Sequence, residues 1–245
     1  MKHQLACISI IVWLLASCGQ PQKQVIEFNI TFNNKIIDCA AAIENSNVQW
    51  QIEQLFFYVS QVQLKNTAQQ WQPVSLATNK YQAEQVALLG VECGGKEPAN
   101  WQLTLAKDQS LTKVTALRFT LGLPFSINHK NPLSQASPLN IPTMFWIWQT
   151  GHKFVRFELA AAEQAWLFHL GSTGCSSASA LRAPNTTCVA PNLFTFELPL
   201  ENNSITLDIG TWFNGVHFSD KTTCQSAPEN LVCQHIFANL NVLAK

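Results

Sequence analysis

The sequence predicts an all-β fold: an antiparallel β-sandwich or barrel-like domain, stapled by disulfides, with a short C-terminal helix. Short segments in which apolar and polar residues alternate recur along the chain, and turn residues separate them. Near the C terminus the apolar spacing changes to that of a helix. An even set of six cysteines follows Cys18, which is typical of exported proteins with disulfides.

The first 17 residues are predicted to be a lipoprotein signal peptide. After Lys2, an apolar run at 5–16 is too short for a helix that spans a bilayer, but it suits the hydrophobic region of a signal. The run ends in LASC, the bacterial lipobox pattern, so we expect cleavage before Cys18 and acylation of that cysteine. Residue 19 is Gly and not the Asp of an inner-membrane retention signal. We therefore expect an outer-membrane lipoprotein that faces the periplasm or the cell surface; the alternative is an ordinary signal peptide with a cysteine nearby.

Residues 18–25 are predicted to form a polar, lipid-anchored tether, and residues 26–245 one β domain that can bury a substantial core. Lys+Arg and Asp+Glu both number 15, so no basic field would attract nucleic acid. Only 12% of the residues are charged, so Gln, Asn, Ser and Thr must provide solubility.

The N-terminal half contains the clearest strand patterns. The segment Val25–Phe32 alternates apolar and polar residues, as a strand with one buried face does. The segment 56–64 is rich in aromatic and β-branched residues, and 81–91 contains a run apolar enough for a buried strand. Further extended segments are predicted at 36–39, 71–76, 101–105 and Val114–Leu121.

The C-terminal half continues this pattern around a turn signal at Thr150-Gly151. Predicted strands in this half are 143–148, 153–159, 165–170, 194–200 and 204–209. The segment Leu231–Leu243 has apolar residues at helical spacing and is predicted to be a helix. The proline-containing loop at 128–142 is long for a plain connector, which is typical of a functional loop.

The cysteines indicate disulfides, because an even number remains in an oxidising compartment. After Cys7 and Cys18 the remaining cysteines are Cys39, Cys93, Cys175, Cys188, Cys224 and Cys233. We expect Cys175–Cys188 and Cys224–Cys233, each of which closes a short loop, with Cys39–Cys93 left over, but sequence alone does not choose among the pairings. A thiolate metal site is the disfavoured alternative, because the sequence has no Cys-x-x-Cys pair and thiols would be oxidised outside the cytoplasm.

Histidines are the main candidates for metal chemistry, since neutral imidazole is a common ligand of copper, zinc and iron. The histidines after the leader are His129, His152, His169, His217 and His235. The long loop carries His129, a turn glycine precedes His152, and His169 leads into a glycine-containing loop that ends in a cysteine. For each histidine taken singly, a surface or hydrogen-bonded role is the ordinary alternative.

An aromatic segment lies between the first two of these histidines. If residues 143–148 form a strand, Met144, Trp146 and Trp148 share one face. The ordinary interpretation is an aromatic core layer, and the alternative places a redox-modifiable indole beside a metal. The sequence lacks the motifs of hydrolases, phosphate loops and c-type haem attachment, so we do not expect an enzyme.

Long motifs around these residues point to a known family. The motifs are LRFTLGLPFSINHKNP, SPLNIPTMFWIWQTGHKFVRFEL and FHLGSTGC, with FYVSQVQL and VALLGVEC upstream and the segment from Cys224 to Cys233 downstream. Over roughly residues 26–243 the chain resembles the MbnP family, whose members are also called metallo-mystery-pair four-Cys-motif proteins.

The resemblance implies an exported, often lipidated, β-rich protein that binds copper. In characterised relatives two histidines bind the metal, together with a tryptophan that a dihaem cytochrome c peroxidase-like (MbnH-like) partner oxidises to kynurenine. The family's Asn-His motif matches Asn128-His129, and its histidine before the Gly-Ser-Thr-Gly-Cys loop matches His169. Its tryptophan pair matches Trp146 and Trp148.

Two functional expectations result. The first is a lipid-anchored copper-binding protein for copper acquisition or buffering, with His129 and His169 as ligands. Where many relatives have Tyr after the turn glycine, this chain has His152, which is either an added ligand or a simple surface change. The second expectation is a binding module without metal, which docks a partner through the aromatic strand and the His129 loop. A redox enzyme is disfavoured, because the sequence has no haem or flavin motif.

Overall fold

The fold is described by a computed structural model that covers residues 24–147 and 149–244. The predicted signal peptide, Cys18 and Trp148 lie outside these residues. The described strands are β1 (Val25–Phe32), β2 (Lys35–Ile36), β3 (Ala42–Asn45), β4 (Val48–Asn66), β5 (Trp71–Pro73), β6 (Gln82–Ala83), β7 (Val86–Glu92), β8 (Gln102–Thr104), β9 (Val114–Leu121), β10 (Val155–Ala161), β11 (Gln164–Leu170), β12 (Phe194–Pro199) and β13 (Ser204–Asp208). The described helices are α1 (Phe125–Asn128), α2 (Leu231–Leu243) and short 3₁₀ turns at Pro132–Ser134, Pro142–Met144 and Ile209–Phe213.

The long strand β4 is the centre of the larger sheet. Its first half pairs with β10 on one side and β7 on the other, and its second half pairs with β9 and β5. The Tyr58 N–H donates to the Phe154 carbonyl, and the Gly122 N–H donates to the Tyr58 carbonyl, both at 2.9 Å. The segment that follows β9 therefore lies beside the segment that precedes β10, and β11 extends the same sheet next to β10.

The smaller sheet is built on β1, which pairs in parallel with β13 and antiparallel with β8 and β2. Its inner face packs against the larger sheet, with the rings of Phe28 and Phe119 5.8 Å apart. Farther along the interface, Phe213 lies within 5.6 Å of the Phe157 ring and 5.2 Å of the Trp166 ring. All five side chains are buried. The two sheets thus form a sandwich around an aromatic core, as the alternating segments predict.

Several predictions are confirmed by this fold. The helix Leu231–Leu243 forms, and the Asn230 side chain caps its N terminus by accepting from two backbone N–H groups. The three predicted disulfides form as Cys39–Cys93, Cys175–Cys188 and Cys224–Cys233. Within residues 24–147 and 149–244, none of the helices has the length and apolar character needed to span a bilayer.

The strand predicted at 143–148 is wrong over its described residues. A 3₁₀ turn occupies Pro142–Met144, Phe145 makes only an isolated bridge, and Trp146 belongs to no strand. Pro142 has no N–H to donate to a sheet and favours the first position of a tight turn, so the apolar run cannot continue as a strand from there. Met144 is fully buried whereas Trp146 is half-buried, so the two side chains do not form one layer.

Candidate metal centre

A short hairpin precedes β10 and carries two of the candidate residues. Phe145 and His152 face each other as an isolated antiparallel bridge, and the Trp146 N–H donates to the Gly151 carbonyl at 3.0 Å. Gly151 has φ +79°, and an added Cβ would collide with the side chain of Asn128. Only glycine suits that conformation and that approach, so the predicted turn is confirmed and Asn128 packs directly against it.

Asn128 holds this hairpin against two neighbouring segments. It is fully buried, and its Oδ1 accepts from the backbone N–H of His152 at 2.8 Å, which fixes the orientation of the amide. Its Nδ2 is therefore the donor side, and it lies 3.2 Å from Nε2 of His129 and 3.4 Å from Oγ of Ser172. An N–H donor opposite Nε2 favours the tautomer of His129 in which Nε2 carries the lone pair.

His169 is held by an ion pair on the neighbouring strand. Alternation along β10 places Arg156 and Glu158 on one face, and Arg156 lies opposite His169 of β11. Nε2 of His169 is 2.7 Å from Oε1 of Glu158, and Arg156 binds both oxygens of this carboxylate at 2.7 and 3.0 Å. A carboxylate can only accept, so Nε2 carries the proton. Nδ1 of His169 is buried and has no hydrogen-bond partner among the described residues.

The pKa shifts in this group support the same protonation states. Burial lowers the pKa of His169, although the hydrogen bond to Glu158 opposes that change. Burial also acts to raise the pKa of Glu158, but hydrogen bonds from His169 and Arg156 lower it to about 2. At neutral pH the carboxylate is therefore charged and the imidazole is neutral, with its lone pair on the buried Nδ1.

The indole of Trp146 lies beside His169, with the two ring centroids 6.5 Å apart. It reaches this position by packing over Gly171, where an added Cβ would lie 2.5 Å from Cζ3 of the indole and 2.9 Å from the His152 carbonyl oxygen. Any larger residue would push the indole away, so Trp146 occupies the space that a side chain at this position would need. The second tryptophan candidate, Trp148, lies outside the described residues.

His129 is buried in the loop after α1, and Ser172 connects it to the segment that follows His169. Asn128 contacts both His129 and Ser172, which lies three residues after His169. His129 thus lies in the loop after α1, and His169 lies near the end of β11. The contacts of Asn128 connect the segments that carry these two predicted ligands. Nε2 of His129 also lies 3.5 Å from Sγ of Cys188, whose sulfur is bonded to that of Cys175.

Comparison with known proteins is consistent with this architecture. The sequence matches the MbnP family over residues 21–226. The chain belongs to the MbnP family. Among solved structures, MbnP from Methylosinus trichosporium is similar, with a TM-score of 0.72 and 23% identity, covering 88% of this chain and 87% of that chain. At this identity the similarity shows a shared fold. No curated protein matches the chain.

The third predicted ligand of this MbnP-family chain, His152, is engaged elsewhere. Its ring is fully buried, with Nδ1 2.9 Å from the Asn128 carbonyl oxygen and Nε2 2.9 Å from the Leu139 carbonyl oxygen. The ring also makes T-shaped contacts with the rings of Tyr58 and Phe145. Because both nitrogens face backbone oxygens, neither is directed at an ion in this arrangement. The structure favours a structural role for His152 over the ligand role that the sequence suggested.

Sequence reasoning missed Glu158 and Arg156. The signal was present, because alternation around the apolar Val155, Phe157 and Leu159 places the two charged residues on the opposite face of one strand. In a chain with few charges, such an Arg-x-Glu pair within a strand indicates a paired and partly buried group. Its partner His169 could not be identified from sequence, because strand register brings them together.

Proposed function

We propose that this MbnP-family chain is an exported, lipid-anchored protein that binds copper for acquisition or buffering. The observation that carries the proposal is the buried Nδ1 of His169, which has no partner among the described residues, while Glu158 holds the other nitrogen. Metal-binding histidines commonly donate their second N–H to a carboxylate, which fixes the tautomer and increases the basicity of the free nitrogen. A buried lone pair without a partner is costly, and a bound cation would relieve that cost.

His129 is the proposed second ligand, through the Nε2 that Asn128 leaves unprotonated. Two neutral imidazoles supply nitrogen donors, for which copper has the highest affinity among the divalent first-row metals. Bound copper would supply a redox-active cation at this end of the sheet. The protein's own residues do the positioning: Glu158 and Arg156 hold His169, and Asn128 holds the His129 loop.

Trp146 or Trp148 is the proposed site of oxidation to kynurenine by a dihaem cytochrome c peroxidase-like (MbnH-like) partner. Support comes from the half-buried position of Trp146 beside His169, which would place a new oxygen or amine donor next to the metal. Mass spectrometry of the peptide that contains both tryptophans, from native protein, tests this part. Unmodified tryptophan in protein isolated with its partner present would contradict it.

The proposed location is the outer membrane, through lipid on Cys18. The first described strand, β1, begins at Val25, which is the last residue of the predicted tether. A chain in which residues 1–17 are replaced by a signal peptide that is cleaved without lipidation, combined with Cys18→Ala, is expected to appear in the soluble periplasmic fraction, whereas the unchanged chain remains with the membrane. Equal membrane association of both would contradict lipid anchoring.

The central test is an anaerobic copper(I) titration of purified protein in competition with a chromophoric chelator. We expect one copper per chain, and at least a tenfold loss of affinity in His129→Ala and in His169→Ala. His217→Ala is the matched control, because His217 is exposed and contacts Ser46 away from this group. Tight binding that persists in the His129→Ala/His169→Ala double variant would refute the ligand assignment.

A second variant tests the role of the carboxylate. Glu158→Gln keeps an oxygen near His169 but removes the charge. Mutation of a residue that hydrogen-bonds to a metal ligand typically lowers metal affinity by about 10–100-fold, and we expect a loss in that range. Exposed Glu163, in the turn after β10, gives the control Glu163→Gln. Equal copper affinity in both variants would show that Glu158 supports the fold and not the ligand.

The alternative function, a binding module without metal, has weaker support. It depended on an aromatic strand, which the structure does not form at Pro142–Met144 or at Trp146. A cleft lined by Phe56, Leu88 and Met144 adjoins this segment, but its volume of about 210 Å³ is below the roughly 300–1,000 Å³ of most small-molecule pockets. Absence of copper binding by the unchanged protein would favour this alternative.

A further inference from the structure

A second group of possible metal-binding atoms consists of a ring nitrogen of His129 and the sulfurs of Cys175 and Cys188. Nε2 of His129 is 3.5 Å from Sγ of Cys188, and one ring nitrogen of His129 and the sulfurs of Cys175 and Cys188 all lie within 4.8 Å of one another. The two sulfurs are joined as a disulfide, so in this state they are not thiolate ligands. Reduction of the disulfide would convert the two sulfurs to thiols, which can bind a metal as thiolates.

We propose that reduction of the Cys175–Cys188 disulfide creates, with His129, a binding site for a thiophilic cation such as zinc. Metal–sulfur and metal–nitrogen bonds of about 2.3 and 2.1 Å at a tetrahedral angle require a nitrogen–sulfur separation of about 3.6 Å. The separation between His129 Nε2 and Cys188 Sγ is 3.5 Å. Only the sulfur of Cys175 has to move, because two sulfurs that bind one metal ion cannot stay as close to each other as they are in the disulfide bond.

The backbone keeps the two cysteines together without the disulfide. Thr173 and Ala190 form an antiparallel bridge with hydrogen bonds of 2.9 and 3.1 Å in the two directions. The Val189 N–H adds a bond of 3.2 Å to the carbonyl of Gly174, the residue that precedes Cys175. Reduction therefore leaves two thiols on adjacent, paired segments, next to Nε2 of His129.

The reduction is a thiol–disulfide exchange with a dithiol. Two electrons and two protons pass from the dithiol to the sulfur–sulfur bond, which breaks to give two cysteine thiols, while the dithiol becomes a disulfide. Attack is expected at Cys175, which is half-buried, and not at Cys188, which is only 6% exposed. Binding of a divalent cation then releases the two thiol protons, because thiolates are the ligands. Thiolate and imidazole donors together suit zinc and copper(I).

This site uses His129 but not His169, so it does not depend on the copper proposal. The test reduces the full chain anaerobically with limited dithiothreitol, removes the reductant and adds Co²⁺ as an optical stand-in for zinc. Alkylation of a parallel sample, followed by mass spectrometry, identifies which cysteines were opened. We expect one Co²⁺ per chain, a sulfur-to-cobalt charge-transfer band and displacement of cobalt by Zn²⁺.

Matched variants separate this site from the other cysteines. Cys39→Ala/Cys93→Ala removes the disulfide that contains the exposed Cys39 and should keep the cobalt band, whereas Cys175→Ala/Cys188→Ala should abolish it. His129→Ala should weaken cobalt binding at least tenfold, and His169→Ala should leave it unchanged. In the unmutated protein, alkylation of the opened cysteines before cobalt is added should prevent the band without any substitution.

Three results would overturn the proposal: a band that persists without Cys175 and Cys188, equal affinity in His129→Ala, or reduced protein in which these two cysteines are open and no cobalt binds. Loss of copper binding in oxidised His169→Ala bears only on the proposed function. The two proposals can therefore fail separately.

Discussion

Two buried histidines differ in the atoms that their ring nitrogens face, and this difference separates a candidate ligand from a structural residue. His169 has a carboxylate on one nitrogen and no partner among the described residues on the other. His152 has a backbone carbonyl on each nitrogen. The sequence predicts both as candidate ligands, because residue type and the neighbouring glycines are all that it shows. Contacts between residues far apart in the chain decide between the two roles.

The buried ring of His152 predicts how stability depends on pH. Burial lowers its pKa, and the carbonyl oxygens of Leu139 and Asn128 oppose this less strongly. The unfolded ring takes up a proton near pH 6.5, so below that pH the unfolded state binds more protons and folding stability falls. The loss is at most about 1.4 kcal/mol per pH unit for this group. Urea unfolding at about pH 7.5, 6.5 and 5.5 should show it.

The variant His152→Gln removes this titration, so its stability should fall less between those pH values. Burial also lowers the pKa of His169, so part of the dependence should remain. Exposed His217 provides the control His217→Gln, which should keep the full dependence. An unchanged pH dependence in His152→Gln would show that the ring does not titrate differently in the folded and unfolded states.

At the scale of elements, the local sequence pattern predicts most strands correctly. It fails at residues 143–148, the segment that carries Trp146 beside His169. The aromatic run after Pro142 looks extended, yet it turns because tertiary contacts to Asn128 and Gly171 hold it as a tight hairpin. The strand predicted at 56–64 begins earlier, at Val48, although the alternation in residues 48–55 was visible in the sequence. Hydrophobic periodicity therefore identifies strands that have one face buried in the core. It fails where contacts between distant residues determine the conformation of a segment.

The packing of the hairpin on Gly171 predicts a pair of coupled substitutions. Gly171→Ala should destabilise the protein by about 1–3 kcal/mol, because the new methyl group overpacks the indole of Trp146. In a Trp146→Ala background part of this cost should disappear, leaving the contact with the His152 carbonyl. Unfolding free energies of the four proteins give the coupling, expected at about 0.5–3 kcal/mol.

Gly94→Ala is the control for this cycle. An added Cβ there meets nothing within 4 Å, so its cost comes from the positive φ of +81° alone and should not depend on Trp146. Strictly additive effects of Gly171→Ala and Trp146→Ala would show that the indole is not packed over the glycine.

For the whole molecule, composition and periodicity predict the fold class, whereas the topology comes from pairings that local sequence does not encode. The parallel pairing of β1 with β13 joins segments near the two ends of the chain. The core that results is built from both sheets and from the 3₁₀ turn after β13, with Phe28 against Phe119 and Phe157 against Phe213. The expected disulfide pairs form, two of them across short loops, although sequence alone did not choose among the pairings. They act on this fold by limiting the freedom of the unfolded chain.

The loop that each disulfide closes predicts its share of stability. Cys39–Cys93 spans 54 residues and Cys175–Cys188 spans 13. Loop-closure entropy gives about 4 kcal/mol for the first and about 3 kcal/mol for the second, so Cys39→Ala/Cys93→Ala should lose about 1 kcal/mol more than Cys175→Ala/Cys188→Ala. Urea unfolding of both variants, compared with the unchanged protein, measures the difference. The pairing of Thr173 with Ala190 already holds the shorter loop closed in the folded state, and it does so in both variants alike. A larger loss for the shorter loop would show that native packing around Cys188, and not the entropy of the unfolded chain, sets the contribution of these bonds.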